Sequence, residues 1–201
     1  MNFKKLQAMQ AKLDEAILAE KAPMTAEERF NKTLVALGVE IAEVANTVEH
    51  FKFWKDNKGK VDSERFIVTP SIVNNLIEDD YLDNTTTQYV TEKQAHRLTL
   101  IEECSEALHF ILSLASQCDY AITEIGKRVN IQEDTDSMEK NYLFLSAVMG
   151  DVEYLPFDFE LEMVIDTFFL YVRQLGVADE ELEQVYYDKN KINYERLANG
   201  Y

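Results

Sequence analysis

Two pairs of glutamates, in each of which the residues are three positions apart, could bind a cation through their carboxylates. Glu40 and Glu43 lie in LVALGVEIAEVANTVEHF, and Glu103 and Glu106 lie in LTLIEECSEALHFILSLA. Residues three apart are neighbours on a helix, so each pair directs two carboxylates to one place. If the two helices pack face to face, the four carboxylates converge and require exposure, protonation or a cation. Hard oxygen ligands favour Mg²⁺, with Mn²⁺ as the alternative ion.

Each pair also has a plainer interpretation as the solvated face of a helix, because glutamate is a common helix former. The second pair continues into an aromatic ring, since steps of four, three and four residues join Thr99, Glu103, Glu106 and Phe110. Both pairs lie beside an apolar stripe of helical period, which favours a position at a helix–helix contact. Both interpretations remain open at this point.

Glu106 and His109 also form an ExxH pattern, which is the ligand motif of di-iron helix bundles. Such a site needs a second ExxH from another helix. The residue three positions before the histidine is Thr47 for His50 and Lys93 for His96, so neither histidine supplies the second ExxH motif. We therefore expect His109 to form a hydrogen bond rather than to bind iron.

Cationic and aromatic side chains occur at two other places that suit a phosphate-bearing ligand. Lys189, Asn193 and Arg196 follow one another at helical spacings of four and three, so they share one helix face. Arginine can bind phosphate in a bidentate manner. Lys52 and Trp54, in the segment FKFWK, offer a point charge and an apolar wall. Both groups are also consistent with ordinary helix termini.

Helical periodicity runs through most of the chain, and only six glycines and three prolines argue against an all-β fold. We predict one all-α domain over residues 1–201, a single-domain bundle of about five to seven helices, with a loop-rich insertion at 56–94. The first two helices are expected to end near residues 20 and 54, and a short helix is expected at 71–77 after Pro70. Further helices are expected to begin near residues 91, 136, 159 and 179.

The chain has a formal net charge of −17, which disfavours a nucleic-acid partner. Neither an apolar signal segment nor a run of membrane-spanning length is present in the sequence. Cys104 and Cys118 are fourteen residues apart in one predicted helix, too far to form a disulfide with each other. These features predict a cytoplasmic protein with reduced thiols.

Taken together, the two acidic pairs, FKFWK, Glu106-Ala-Leu-His-Phe and the terminal KNKINYERLANGY resemble the dimeric all-α deoxyuridine triphosphatases (dUTPases). These enzymes belong to the all-α nucleoside triphosphate pyrophosphatase superfamily. The resemblance extends over the whole chain, but its specific parts are these short motifs. It implies a homodimer that hydrolyses dUTP to dUMP and pyrophosphate, and it leaves open whether dUDP is also hydrolysed.

The resemblance also implies a role for each matching residue. Glu40, Glu43, Glu103 and Glu106 would hold Mg²⁺, and one glutamate of the first pair would position the attacking water. Phe110 would stack on the uracil. The remaining positions implied to bind substrate, at the phosphates or the base, are Gln10, Lys52, Trp54, Lys189, Asn193 and Arg196.

Two departures from the family pattern leave alternatives open. The second acidic motif usually ends in aspartate, whereas this chain has Glu106, and the segment 56–94 matches no part of the family pattern. A related pyrophosphatase acting on dCTP, or a non-catalytic helical binding protein, would share many of these residues. Release of pyrophosphate from each deoxynucleoside triphosphate distinguishes these possibilities.

Overall fold

The computed structural model describes residues 1–73, 76–129, 136–154 and 159–200. Within these ranges six helices and one small sheet occur. In chain order they are α1 (Phe3–Ala19), α2 (Ala26–Val48), β1 (Phe66–Val73), β2 (Leu76–Asp83), β3 (Gln88–Thr91), α3 (Glu92–Gln117), α4 (Met138–Asp151), α5 (Phe159–Gln174) and α6 (Asp179–Ala198). The predicted all-α fold class is confirmed, with this sheet as an addition.

Helix α3 lies at the centre of the fold and packs against α1, α2 and α6. Its apolar side chains are completely buried over several turns, for example at Leu108 and Ile111. Burying a side chain of this size removes it from water and stabilises the fold by about 2 kcal/mol. Helices α4 and α5 pack on each other and complete the bundle beside α2 and α3. The second acidic pair is therefore carried by a helix that packs against three others.

Side-chain caps fix where two of the helices begin. Thr25 accepts a hydrogen bond from the backbone of Glu28 at the start of α2. Thr91 and Gln94 form a capping box at the start of α3, where a helix was expected to begin. These caps set the phase of the two helices that carry the glutamate pairs.

Helix α2 ends at Val48, which is earlier than the predicted end near residue 54. The next residue, Glu49, adopts a left-handed backbone conformation with φ of 57°. Its buried carboxylate accepts hydrogen bonds from the backbone of Gly59 and from Lys52 and Lys55. These partners hold the following segment in a turn, so Lys52 and Trp54 lie beyond the helix.

The segment 56–94, predicted to be loop-rich, contains all three described strands. β1 pairs antiparallel with β2, and β2 pairs antiparallel with β3. The prediction of a short helix at 71–77 is wrong, because residues 71–73 belong to β1 and residues 76–77 belong to β2. The β-branched residues around Pro70 favour an extended backbone, and Pro70 is tolerated because β1 is an edge strand.

Cys104 and Cys118 are both buried and are not joined by a disulfide, as expected from their separation along α3. Among the described residues, no helix is both long enough and apolar enough to cross a membrane.

Candidate active site

The packing of α2 against α3 brings the two acidic pairs into electrostatic contact. Burial, followed by the charges of Glu106 and Glu43, raises the pKa of Glu40 to about 7. Burial and the charges of Glu106 and Glu40 likewise raise the pKa of Glu103 to about 7. Mutual repulsion of this kind requires carboxylates from both helices to lie close together. The four glutamates singled out from their spacing therefore form one acidic cluster.

The four members of this acidic cluster differ in their access to solvent. Glu43 is exposed, whereas Glu40, Glu103 and Glu106 are half-buried. Among the described residues, no three acidic, histidine or cysteine side chains already surround a single point as ligands of one ion. The carboxylates would have to rotate toward one another to share a cation.

The donor chemistry of the acidic cluster fits a divalent cation. All four groups are hard oxygen donors, and two of them have pKa values raised in part by their neighbours' charges. An ammonium group already occupies part of this negative field, since Lys189 Nζ lies 2.5 Å from Glu106 Oε1. This arrangement satisfies one negative charge and leaves the others for another cation.

Lys189 reaches the cluster from α6 and is itself buried, with its side chain 6% exposed. Its ammonium also lies 2.7 Å from Glu102 Oε1. Burial opposes the charged form of Lys189, but the hydrogen bonds to Glu102 and Glu106 outweigh burial and raise its pKa. The lysine is therefore held in its charged form beside the glutamates.

Glu102 is a residue of this network that the sequence patterns did not indicate. Its other oxygen, Oε2, accepts a hydrogen bond of 2.7 Å from Arg65 Nη1. Arg65 in turn donates from Nε and Nη2 to the two carboxylate oxygens of Asp83, at 3.2 and 2.9 Å. The doublet Glu102-Glu103 was visible in the sequence, but nothing local linked Glu102 to Arg65 or Lys189.

A cavity of about 540 Å³ lies beside the acidic cluster, between α1, α2, α3 and α6. Six predicted site residues line it, from all four helices: Gln10, Glu40, Glu106, Phe110, Asn193 and Arg196. Glu43, Glu103 and Lys189 do not line the cavity but interact electrostatically with Glu40 or Glu106, which do. A depression of similar volume on the outside of α2 contains none of the predicted site residues.

A chain of hydrogen bonds fixes the polar wall of this cavity. Gln10 donates from Nε2 to Asp14 Oδ1 at 2.7 Å, so its amide oxygen faces His109 and Tyr186. His109 Nδ1 donates to that oxygen at 2.7 Å and the Tyr186 hydroxyl donates to it at 3.0 Å. The hydrogen bond expected for His109 is therefore present, and its partner is Gln10.

His109 is neutral in this environment. Burial, with the charge of Lys189, lowers its pKa to about 3. Its ring stacks on Tyr186 with centroids 4.2 Å apart. Because Nδ1 carries the proton, Nε2 is a hydrogen-bond acceptor, and this buried atom has no partner among the described residues. The cavity wall therefore combines Phe110 with a neutral imidazole.

Lys52 and Trp54 are not among the residues that line the cavity. Lys52 Nζ lies 2.7 Å from Glu49 Oε1. The Trp54 side chain is 66% exposed and packs edge-on against the rings of Phe51 and Phe53. The structure thus brings most of the predicted site residues together but leaves these two outside.

The family model described as dUTPase matches residues 2–68 and 83–201 of this chain. The match includes both acidic pairs, the residues that line the cavity, and the Lys189, Asn193 and Arg196 series. It omits residues 69–82, which form most of the β1–β2 hairpin. A search of curated proteins found no match. The chain belongs to the all-α dUTPase family and is therefore a dUTP-hydrolysing enzyme.

Proposed function

We propose that the enzyme hydrolyses dUTP to dUMP and pyrophosphate in a Mg²⁺-dependent reaction at the α1–α2–α3–α6 cavity. One observation carries this proposal: the cavity is lined at once by Phe110, by carboxylates of both acidic pairs, and by Asn193 and Arg196. An aromatic ring, anionic ligands and cationic or amide donors are the three groups that a metal–nucleotide complex requires.

Glu40, Glu43, Glu103 and Glu106 would hold the Mg²⁺. When bound there, the ion supplies positive charge to the phosphate oxygens and makes a water molecule more acidic. Mn²⁺ has similar ligand preferences and serves as the alternative ion. This acidic surface, with a net charge of −17, would otherwise repel a triphosphate.

Glu43 is the member of the acidic cluster best suited to orient the attacking water. It is the exposed one of the four, so its carboxylate is in contact with solvent water. Its carboxylate holds the water molecule in line with the phosphorus under attack and accepts a proton from that water. Glu40, with its raised pKa, is the second candidate for the same role.

Residues of α6 would hold the substrate, in addition to the acidic cluster on α2 and α3. Arg196 and Asn193 line the cavity, and the Lys189 ammonium lies at the acidic cluster. Lys189 and Arg196 would stabilise the negative charge that develops on the departing pyrophosphate. Phe110 would stack on the uracil, and Gln10 would border the base. Lys52 and Trp54 stay proposed substrate-binding residues, although they lie outside the cavity.

We also infer that the enzyme is a homodimer. Helices α2 and α4 contact each other and both carry exposed apolar side chains, namely Val35, Val39, Leu143 and Phe144. Apolar side chains exposed in this number on adjoining helices suit a protein–protein interface. Sedimentation of the wild type and of Leu143→Glu tests this inference, with a dimer expected for the first and a monomer for the second.

The proposed function is tested by measuring pyrophosphate release from dUTP, dCTP, dATP, dGTP and dTTP, with and without Mg²⁺. We expect release from dUTP only, and only with the metal. A separate assay with dUDP measures phosphate release. Faster turnover of dCTP than of dUTP would instead support the related pyrophosphatase activity.

A further inference from the structure

The ion pairs at Lys189 continue away from the acidic cluster into the base of the sheet. Lys189 contacts Glu102, Glu102 contacts Arg65, and Arg65 contacts the Asp83 side chain at the end of β2. Each of these three contacts is between 2.7 and 2.9 Å. We call this series the Arg65–Glu102 relay. It links residues on both sides of the segment that the family match omits.

The outer end of the relay is rigid. Asp83 is 2% exposed and holds Arg65 through both carboxylate oxygens. Asp83 Oδ1 also accepts hydrogen bonds from the backbone and the hydroxyl of Thr85, at 2.9 and 2.7 Å. The backbone of Asn84 donates to the carbonyl of Arg65 at 3.0 Å. With its rotamer fixed at two sites, Arg65 presents Nη1 to Glu102 in one orientation.

The inner end of the relay bears on the proposed metal ligands. Lys189 is shared between two carboxylates, Glu102 and Glu106. If Glu106 Oε1 served as a metal ligand, the Lys189 ammonium would have to leave that oxygen. Glu102 then remains as the anionic partner of a buried lysine, which would otherwise be left with an uncompensated charge.

We propose that Glu102 is a positioning residue that holds Lys189 beside Glu106 without competing with the metal, and that Arg65 fixes Glu102 for this purpose. The inference rests on the proposed function, because it takes Glu106 as a metal ligand and Lys189 as a phosphate contact. Glu102 itself is neither a ligand nor a substrate contact in this scheme. Its effect on the reaction is transmitted entirely through Lys189.

The relay also assigns a role to the base of the inserted hairpin. The family match stops at residue 68 and resumes at residue 83, so Arg65 and Asp83 flank the insertion. The strand pairing of Phe66 with Asp83 and of Ile67 with Leu82 holds these flanks together. The pairing of β1 with β2 therefore keeps Asp83 beside Arg65, the residue that contacts Glu102.

The test compares Glu102→Gln and Arg65→Lys with the wild type by two measurements. The first is calorimetric titration of the substrate-free protein with Mg²⁺, and the second is the Mg²⁺ concentration that gives half-maximal dUTP turnover. Loss of an outer partner of a metal ligand typically weakens metal affinity by about tenfold or more. We expect a change of this size for Glu102→Gln, and a smaller change in the same direction for Arg65→Lys.

Arg65→Lys separates positioning from simple charge. It keeps the positive charge but loses the fork that contacts Asp83 and Glu102 together. Arg173→Lys is the matched control, because Arg173 contacts the carboxylate of Asp179 through Nε and Nη2 at 3.0 and 2.8 Å and neither residue belongs to the relay. Arg173→Lys should leave Mg²⁺ affinity unchanged. Thermal melting of each variant verifies that it is folded. If Glu102→Gln is unfolded, the Mg²⁺ affinity of Arg65→Lys alone tests the inference.

Three outcomes are decisive. Weaker Mg²⁺ affinity in both relay variants supports the inference. Wild-type affinity in Arg65→Lys overturns it, even if Glu102→Gln is impaired, because the charge of Glu102 alone would then explain the effect. If the wild type binds Mg²⁺ but does not hydrolyse dUTP, the proposed function fails while the calorimetry still judges the relay.

Discussion

Lys189 Nζ lies 2.5 Å from Glu106 Oε1, so the cation of the last helix contacts the carboxylate at which this chain departs from the family pattern. Glutamate has one more methylene than aspartate and reaches further from the α3 backbone. Here that reach ends on an ammonium that also binds Glu102. The carboxylate of Glu106 is thus ion-paired within the same site.

The replacement Glu43→Gln should abolish most turnover while leaving the fold unchanged. Glu43 is exposed, so the amide introduces no buried unpaired group. Loss of a group that takes up a proton in the reaction costs at least about 10²-fold in kcat. Glu27→Gln, a matched change at another exposed position of α2, should retain wild-type kcat. Near-normal activity of Glu43→Gln would refute the role assigned to this glutamate.

Removal of the metal should affect stability in a pH-dependent manner. The pKa values of Glu40 and Glu103, about 7, lie above the ordinary value of 4.5. In the metal-free protein, stability is therefore greatest when both are protonated and is lost as the pH rises from 4.5 through about 7. A bound cation removes this repulsion, so Mg²⁺ should raise the melting temperature more at about pH 8 than at about pH 5.5.

The measurement is thermal melting at both pH values with Mg²⁺ and with a chelator. Glu40→Gln should reduce the difference between the two pH values, whereas Glu27→Gln should keep it. A Mg²⁺ effect of equal size at both pH values would show that these carboxylates do not take part in binding the ion.

Local periodicity predicted the helices and the two glutamate pairs, but neither the meeting of the pairs nor the relay. The spacing of Glu40, Glu43, Glu103 and Glu106 is a property of single helices, and the apolar stripes beside them favoured a helix–helix contact without identifying the partner helix. Glu102 lies one residue from this pattern. Its partners are 37 and 87 residues away in the chain, so no local signal identifies them.

The two errors in the fold have the same physical origin. Helix α2 stops at Val48 because Glu49 accepts hydrogen bonds from Lys52, Lys55 and Gly59, which a helix continuing past Glu49 would not allow. Pro70 suggested a helix start, but cross-strand pairing placed it on the edge of a sheet. Both depend on pairings, of Glu49 with Lys52, Lys55 and Gly59 and of Pro70 with Asp79, that helical periodicity does not reveal.

Phe110→Leu should weaken binding of dUTP more than it slows the chemical step. Stacking of a base on an aromatic ring contributes about 1–3 kcal/mol, so KM should rise roughly tenfold with a smaller change in kcat. Phe159→Leu removes a ring that is 49% exposed and does not line the cavity, and it should leave KM unchanged. Equal KM values for wild type and Phe110→Leu would place the uracil elsewhere.

Glu49 provides a prediction about folding rather than catalysis. Its side chain is 2% exposed, and hydrogen bonds from Lys52, then Lys55, hold its pKa at about 2, below the ordinary 4.5. Because the folded protein lowers this pKa, the stabilisation is present above pH 4.5 and is lost as the pH falls toward 2. Glu49→Gln should lower the free energy of unfolding by about 2 kcal/mol at neutral pH.

Urea unfolding of both proteins at neutral pH and near pH 3 measures this difference, which should shrink at the lower pH. Glu28→Gln, which removes an exposed ion pair with Lys32, should change stability little at either pH. In Glu49→Gln the Lys52 and Lys55 side chains lose their charged partner. We therefore expect the backbone amides of the FKFWK turn to exchange with solvent before those of the helices. A pH-independent difference would mean that Glu49 stabilises α2 by its backbone conformation alone.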